Sequence, residues 1–150
     1  NLWSTRGQVP VDPDCLVPIG KADIKREGSD VTVVSISGCL KPVMAAAKEL
    51  EKQGISAEVV DPRTLVPLDK ETILNSVRKT GKLVLVDNAH RTCSAVSEIA
   101  AIVVEEAFEI LQKPIQRLTT PDVHVAATPV LEKLLYPNKQ DIVTAVQKII

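Results

Sequence analysis

The segment from Asp30 to Arg63 constrains the fold more than any other. Asp30-Val-Thr-Val-Val-Ser-Ile-Ser37 is an apolar, β-branched run, the composition of a buried strand. Gly38-Cys39-Leu40-Lys41 turns the chain, and Pro42 opens a helix to about Gln53. Val43, Ala46, Ala47 and Leu50 fall on one face of it, with Lys48, Glu49, Glu51 and Lys52 turned away. Proline suits the first helical position, where its missing N–H would have no partner. Gly54 suits the left-handed cap. Ser56-Ala-Glu-Val-Val-Asp-Pro62 then reads as a second strand. Strand, helix and strand at this spacing make a βαβ unit. Its continuous apolar strands belong in a sheet covered on both faces, and so in parallel pairing with a right-handed crossover.

The rest of the chain adds to this unit. Segment 1–20 carries Pro10, Pro13 and Pro18, with Gly7 and Gly20 flanking. Proline at that density prevents a helix or a central strand, so 1–20 is expected to be an extended arm and 21–150 the folded domain. Its apolar residues, Leu2, Trp3, Val9, Val11, Leu16, Val17 and Ile19, are expected to lie against a surface. Trp3, the only Trp, is a candidate anchor against a neighbour. Lys21 to Glu27 reads as a charged edge strand, and Gly28-Ser29 would by local pattern alone make it a hairpin with the strand at Asp30.

Asp69 is placed to cap a helix running to about Thr80 with Ile73, Leu74 and Val77 inside, and Gly81 ends it. Lys82 to Asp87 is a further buried strand, Asn88 to Cys93 a polar loop, and Ser94 to Leu111 the longest helix. Ile115 to Thr120 is the last strand. Thr128-Pro129 opens a short helix to Leu135, and Gln140 to Ile150 closes the chain as a helix. The class is α/β.

Composition narrows the function. Only 2% of residues are aromatic against 45% hydrophobic, so Val, Ile, Leu and Ala must fill the core. The net charge is −1 with no charge run, which argues against nucleic acid or an anionic membrane as partner. No apolar run reaches the roughly 18 residues of a membrane span. The three cysteines, Cys15, Cys39 and Cys93, form neither a zinc pattern nor a disulfide framework, which fits a reducing compartment. Asn1-Leu-Trp-Ser-Thr-Arg is no signal peptide. With no starting Met, the chain is expected to be part of something longer.

In an open parallel sheet, ligands favour the carboxyl ends of the strands where strand order reverses. The loops to search there are Gly38 to Lys41, Arg63 to Leu68, Asn88 to Cys93 and Pro121 to Ala127. Gly38 alone is no phosphate motif. Cys39 has neither His nor acid nearby in sequence and reads as a packed thiol. Lys41 reads as solvated. Asp87, His90, Arg91 and Cys93 share one loop, but their spacing matches no ligand set. His124 reads as an exposed loop histidine. Arg63 suits a bidentate carboxylate pair, with Asp87 or Glu98 as partner. No paired carboxylates, Ser/His/Asp set or metal cluster emerges, so no catalytic, cofactor-binding or metal-binding residue is assigned.

Several segments together resemble a known family. They are Val17-Pro-Ile-Gly-Lys-Ala22, Arg26-Glu-Gly28, Asp30-Val-Thr-Val-Val34, Asp61-Pro-Arg-Thr-Leu-Val-Pro-Leu-Asp69, Leu83-Val-Leu-Val-Asp87, Glu98-Ile99 and Asp141-Ile142 with Ala145-Val146. They look like the transketolase C-terminal domain, and more narrowly that of the beta subunit in the thiamine-diphosphate-dependent decarboxylating component of 2-oxoacid or acetoin dehydrogenases. The resemblance implies a three-layer α/β/α domain with a five-stranded, mostly parallel mixed sheet. The first strand would then lie antiparallel beside the third, and a crevice would open between the loops at Gly38 and Asn88.

It further implies that thiamine diphosphate and Mg²⁺ belong to the intact parent enzyme and not to this chain. The domain would help hold an α₂β₂ heterotetramer of alpha and beta subunits. It would also dock the peripheral-subunit-binding domain of a dihydrolipoyl acyltransferase, through Gln112 and Lys113 ahead of the last strand and through Ile149 and Ile150. Where some relatives have an acid before that proline, this sequence has Gln112 and Lys113. Trp3, Arg63, Asp87 and Glu98 would serve structure or interfaces. The isolated domain would self-associate, and the compartment would be the cytoplasm, or the mitochondrial matrix for a eukaryotic parent. The alternatives are a free-standing small-molecule-binding domain using the Gly38/His90 crevice, and the same domain of a transketolase or deoxyxylulose-phosphate synthase.

Overall fold

The computed structural model describes residues 6–8, 10–12 and 14–150; Trp3 lies outside them. The elements are β1 (Asp23–Arg26), β2 (Val31–Ser35), a 3₁₀ turn (Ser37–Cys39), α1 (Leu40–Lys52), β3 (Ala57–Asp61), α2 (Lys70–Thr80), β4 (Leu83–His90), α3 (Ala95–Ala107), a second 3₁₀ turn (Phe108–Ile110), β5 (Gln116–Thr120), α4 (Pro129–Glu132) and α5 (Lys139–Gln147).

The five strands form one sheet in the order β1-β3-β2-β4-β5. β2 runs parallel to both β3 and β4, β4 runs parallel to β5, and β1 alone is antiparallel, with Asp23 opposite Asp61. The hairpin suggested by the local pattern of 21–34 is therefore wrong: β1 pairs with β3, not β2. Gly28 explains why the turn between them serves a different purpose. A Cβ there would sit 2.2 Å from the backbone N of Glu58, so only glycine lets the chain pass so close to β3.

Period-two alternation divides the sheet between two cores. Val31, Val33, Val59, Val84 and Val86 meet Val43, Ala46, Ala47 and Leu50 of α1 and Ile142, Val143 and Val146 of α5. Val34, Val60, Leu83 and Leu85 meet Ile73, Leu74 and Val77 of α2 and Val96, Ile99 and Val103 of α3. The three-layer α/β/α architecture is thus in place. A fully buried aliphatic side chain is worth roughly 1.5–3 kcal/mol, and the sheet carries one or more on both faces of every inner strand.

The second core holds a polar cluster. Thr32 Oγ1 lies 2.9 Å from Ser76 Oγ and 2.7 Å from Thr80 Oγ1. Glu58, 1% exposed, accepts from Ser76 Oγ, from the Gly28 N–H at 3.2 Å and from Lys79 Nζ. Both oxygens of this carboxylate find donors among neighbours that lie far apart in sequence, which is how a buried acid is tolerated.

Several boundaries differ from the sequence reading. α1 begins at Leu40, so Pro42 sits inside the first turn, where its lack of an N–H still removes no helical bond. β4 runs on to His90, which pairs with Thr120 of β5 beyond an irregularity in register after Val86, and Thr120 Oγ1 donates to Asn88 O across it at 2.8 Å. α3 tightens to 3₁₀ after Ala107. The described apolar residues of the arm are largely open to solvent: Val11, Leu16, Val17 and Ile19 are all exposed, and of these Val17 borders a depression beside Arg63. The arm is held instead where it joins the domain, by Gly20 N–H to Thr64 Oγ1 (3.1 Å) and Ala22 N–H to Asp69 Oδ2 (3.0 Å).

Candidate functional site

Strand order reverses between β2 and β4, the place where the family resemblance implies a crevice. A Cβ on Gly38 would lie 4.0 Å from Asn88 Nδ2, so the two strand-end loops stand side by side. Next to it, a depression of about 370 Å³ is lined by Ile36, Ser37, Leu40, Asp61, Pro62 and Arg63, with Val17 and Leu65.

The groups around this rim are committed to one another. Arg63 takes a left-handed backbone (φ 58°); its N–H donates to Asp61 Oδ1 at 3.0 Å, and its guanidinium pairs with Asp23 at 2.7 Å. Asp87 and Glu98 were the expected partners, and both are wrong. The antiparallel β1 delivers Asp23 beside the end of β3, whereas Asp87 lies on β4 and Glu98 is exposed on α3. Hydrogen bonds from Lys25 and Arg63 hold the Asp23 carboxyl below the usual carboxylate range.

Asp87 is buried, and its carboxylate accepts the Ala89 N–H at 3.0 Å. Cys39 is buried; burial first, and the Asp87 charge second, push its thiol up to about 11. A thiol so far above neutrality is no nucleophile at neutral pH. His90 Nε2 lies 3.1 Å from Val123 O, and the Thr92 N–H and hydroxyl donate to Asp122 at 3.0 and 2.7 Å. These contacts pin the loop after β5 to the end of β4. Cys93 has φ 58° and is exposed. Lys41, Arg91 and His124 are exposed. Among the described residues, no group of three or more His, Cys, Asp or Glu could hold a metal ion. The rim is a network of structural bonds with no nucleophile–base pair in it.

A larger depression lies elsewhere. An open groove of about 700 Å³ runs along α3 and the approach to β5, lined chiefly by Ala100, Ala101, Val104, Phe108, Leu111 and Ile115. Gln112 and Lys113 stand at its edge. The Gln112 N–H donates to Gly81 O at 2.8 Å, and its side chain fills the space a Cβ on Gly81 would take, with Nε2 only 2.5 Å away. Of the closing pair, Ile149 is 2% exposed and belongs to the first core, while Ile150 is 49% exposed. Sequence reasoning missed the groove. Its signal was a second apolar stripe on α3, Ala100-Val104-Phe108 at four-residue spacing, beside the stripe that faces the sheet.

The reversed edge strand, the parallel remainder and the helices on both faces define a class. The chain belongs to the transketolase C-terminal domain family, whose model matches residues 20–142. It is 44% identical over 145 residues to the 2-oxoisovalerate dehydrogenase subunit beta of Bacillus subtilis, covering 96% of this chain and 44% of the relative. It is 42% identical to the acetoin:2,6-dichlorophenolindophenol oxidoreductase subunit beta of Bacillus subtilis, over 95% of this chain and 41% of the relative. It is 44% identical to the mitochondrial pyruvate dehydrogenase E1 component subunit beta of Dictyostelium discoideum, over 92% of this chain and 39% of the relative. Among solved structures, a split-gene transketolase described as an inactive β4 tetramer superposes with a TM-score of 0.80 at 32% identity, over 92% of this chain and 45% of that one. The chain thus spans less than half the length of these relatives.

Proposed function

We propose that this chain is the C-terminal assembly domain of the beta subunit of a 2-oxoacid or acetoin dehydrogenase. The parent enzyme would use thiamine diphosphate and Mg²⁺ to decarboxylate a 2-oxoacid, or cleave acetoin, and pass the acyl group to a lipoyl arm. The single observation carrying this reading is the rim of the sheet. The place where such a fold would put chemistry holds groups already paired with each other, Arg63 with Asp23 and His90 with Val123 O. In this reading the chain contributes no catalytic or coenzyme-binding residue, and its exposed apolar surface serves contacts with other subunits.

Those contacts would be with an alpha subunit and a second beta subunit in an α₂β₂ heterotetramer. The acyltransferase's peripheral-subunit-binding domain would dock on Gln112, Lys113 and Ile150, with Ile149 holding the terminal turn in the core. The cytoplasm, or the mitochondrial matrix for a eukaryotic parent, is the compartment this role requires. A free-standing ligand-binding domain at the Gly38/His90 crevice is disfavoured because the His90 ring is spent on the 121–127 loop.

A chimera tests the proposal. This chain replaces the matching segment of the Bacillus subtilis 2-oxoisovalerate dehydrogenase beta subunit, and the product is co-expressed with its alpha subunit. A heterotetramer that decarboxylates 2-oxoisovalerate is expected. Failure of the chimera to assemble, or turnover of a 2-oxoacid by the 150-residue chain with coenzyme alone, overturns the reading.

A further inference from the structure

We propose that the open edge of β5 takes up an extended, acidic peptide segment of a partner protein as an added strand of the sheet. The inference needs only the open strand and the charges around it, and it stands apart from the assembly reading above.

The sheet ends in β1 on one side and β5 on the other, and the chain treats the two edges differently. In β1, Asp23, Lys25 and Arg26 are charged and only Ile24 is not. Charge along an edge is a common means of keeping a second chain off it. β5 reads Gln-Arg-Leu-Thr-Thr over 116–120. It has no proline, and its one charged side chain, Arg117, is turned toward α3, where it donates to Ser97 Oγ at 2.8 Å. β5 is thus an edge without that protection.

Its main chain says what kind of group would cover it. β5 pairs with β4 alone, and among the described residues no main-chain group outside β4 bonds to that of 116–119. Amides and carbonyls of a strand alternate between its two sides, so the outward set has no main-chain partner. A row of donors and acceptors at this spacing is matched by another extended backbone.

The surrounding charges select the sign of that partner. Lys113 and Arg117 line the groove on the α3 side of β5. Lys148 lines a depression of about 340 Å³ on the α5 side, together with Gln116, Leu118 and Thr119. Among the described residues none of these three cations forms a salt bridge. Asp141 is the one acid lining either hollow, and its carboxylate accepts the Asn138 N–H in the capping box of α5. Successive side chains of an added strand point to opposite faces, so carboxylates on either face would meet a cation that has no acid of its own.

The test uses this chain and a fluorescein-labelled peptide of about eight residues, a strand's length, in which valine and glutamate alternate. Saturable binding is expected by fluorescence anisotropy, weakening as salt is added. The same peptide with every amide N-methylated keeps its charges and loses its strand donors. It is expected to bind about tenfold more weakly or worse, as is a version with lysine in place of glutamate. Lys113→Glu combined with Lys148→Glu, both at exposed positions, is expected to weaken binding about tenfold, and circular dichroism checks that the variant stays folded. In amide exchange followed by NMR, alternate amides of Gln116 to Thr120 should exchange freely in the chain alone and slow when the peptide is added, with β1 unchanged. Absence of saturable binding overturns the proposal, as does equal binding of the N-methylated or the lysine peptide. Protection that falls on β1, or nowhere in β5, overturns it too. These peptide and exchange results decide the matter even where the double variant does not fold.

Discussion

Asp69 ties the start of the domain to α2, and its removal should be felt in both places. Its side chain caps the helix by accepting the Thr72 N–H at 3.3 Å and the Thr72 hydroxyl at 2.8 Å. It also accepts the Ala22 N–H at 3.0 Å, with Lys21 Nζ at 3.9 Å. Loss of an N-cap costs about 1 kcal/mol. A hydrogen bond to a charged group is worth about 1.5–3 kcal/mol, and the lower end applies because Ala22 is only half-buried and water can replace the carboxylate. Asp69→Ala should therefore cost about 2–3 kcal/mol, a fall in Tm of about 5–10 °C for a domain of this size. Asp69→Asn keeps an acceptor at the cap and should cost about 1 kcal/mol. The pH dependence has a definite sign. Burial pushes the Asp69 carboxyl up, but the Ala22 and Thr72 hydrogen bonds outweigh it and hold it below its ordinary 3.8. A depressed value means stabilisation that is present above 3.8 and lost as pH falls through the lower folded value. Urea unfolding at pH 7 and pH 3 reads both effects, and the gap between wild type and Asp69→Ala should narrow at pH 3. An Asp69→Ala variant within about 0.5 kcal/mol of wild type at pH 7, or a gap that does not narrow, would refute the reasoning.

Three further outcomes follow from the buried polar groups. Glu58→Gln should cost about 2 kcal/mol in urea unfolding; full burial of the acid argues for the 3–5 kcal/mol of a broken buried pair, but the Lys79 side chain is 43% exposed and keeps Glu27. Glu58 first and Glu27 second raise the Lys79 amine above its ordinary 10.5, so that contribution should persist below 10.5 and vanish only as pH climbs past the folded value; a loss at neutral pH would contradict the assignment. The Ser35 hydroxyl is buried with no hydrogen-bond partner among the described residues, so Ser35→Ala should raise stability by up to about 1 kcal/mol; a clear loss would mean the hydroxyl has a partner. In a thiol titration at pH 8, Cys15 and Cys93 should react at once and Cys39 only on unfolding; rapid reaction of all three would show that Cys39 is reachable.

The parallel core was legible because its signals are local. Valine runs at β2 and β4, the stripe of α1, the Asp69 cap and the left-handed Gly54 and Gly81 can each be read from a few adjacent residues. What local pattern misassigned depends on residues distant in sequence. Gly28 looks like a hairpin turn, and only its approach to the backbone of Glu58 shows why it is needed. Arg63 signalled a carboxylate partner, but Asp23 could not be chosen over Asp87 before β1 was known to lie beside β3. Family resemblance did supply that strand order. Ile149 and Ile150 look alike in sequence, yet one is core and the other surface, because the turn after α5 folds Ile149 into the core that α5 shares with α1. The groove was hidden because α3 has two apolar stripes and only one can face the sheet.

The reversal of β1 also sets where the chain enters the domain. Because Asp23 stands opposite Asp61, the segment ahead of β1 arrives at the rim where β2, β3 and β4 end, and Val17 forms part of the wall there. Had β1 run with its neighbours, that segment would have emerged at the opposite rim, roughly 13 Å away along a strand of this length. One backward strand therefore acts as an address: it delivers the arm to the same edge as the depression beside Arg63, so tether and strand-end loops share a single doorway.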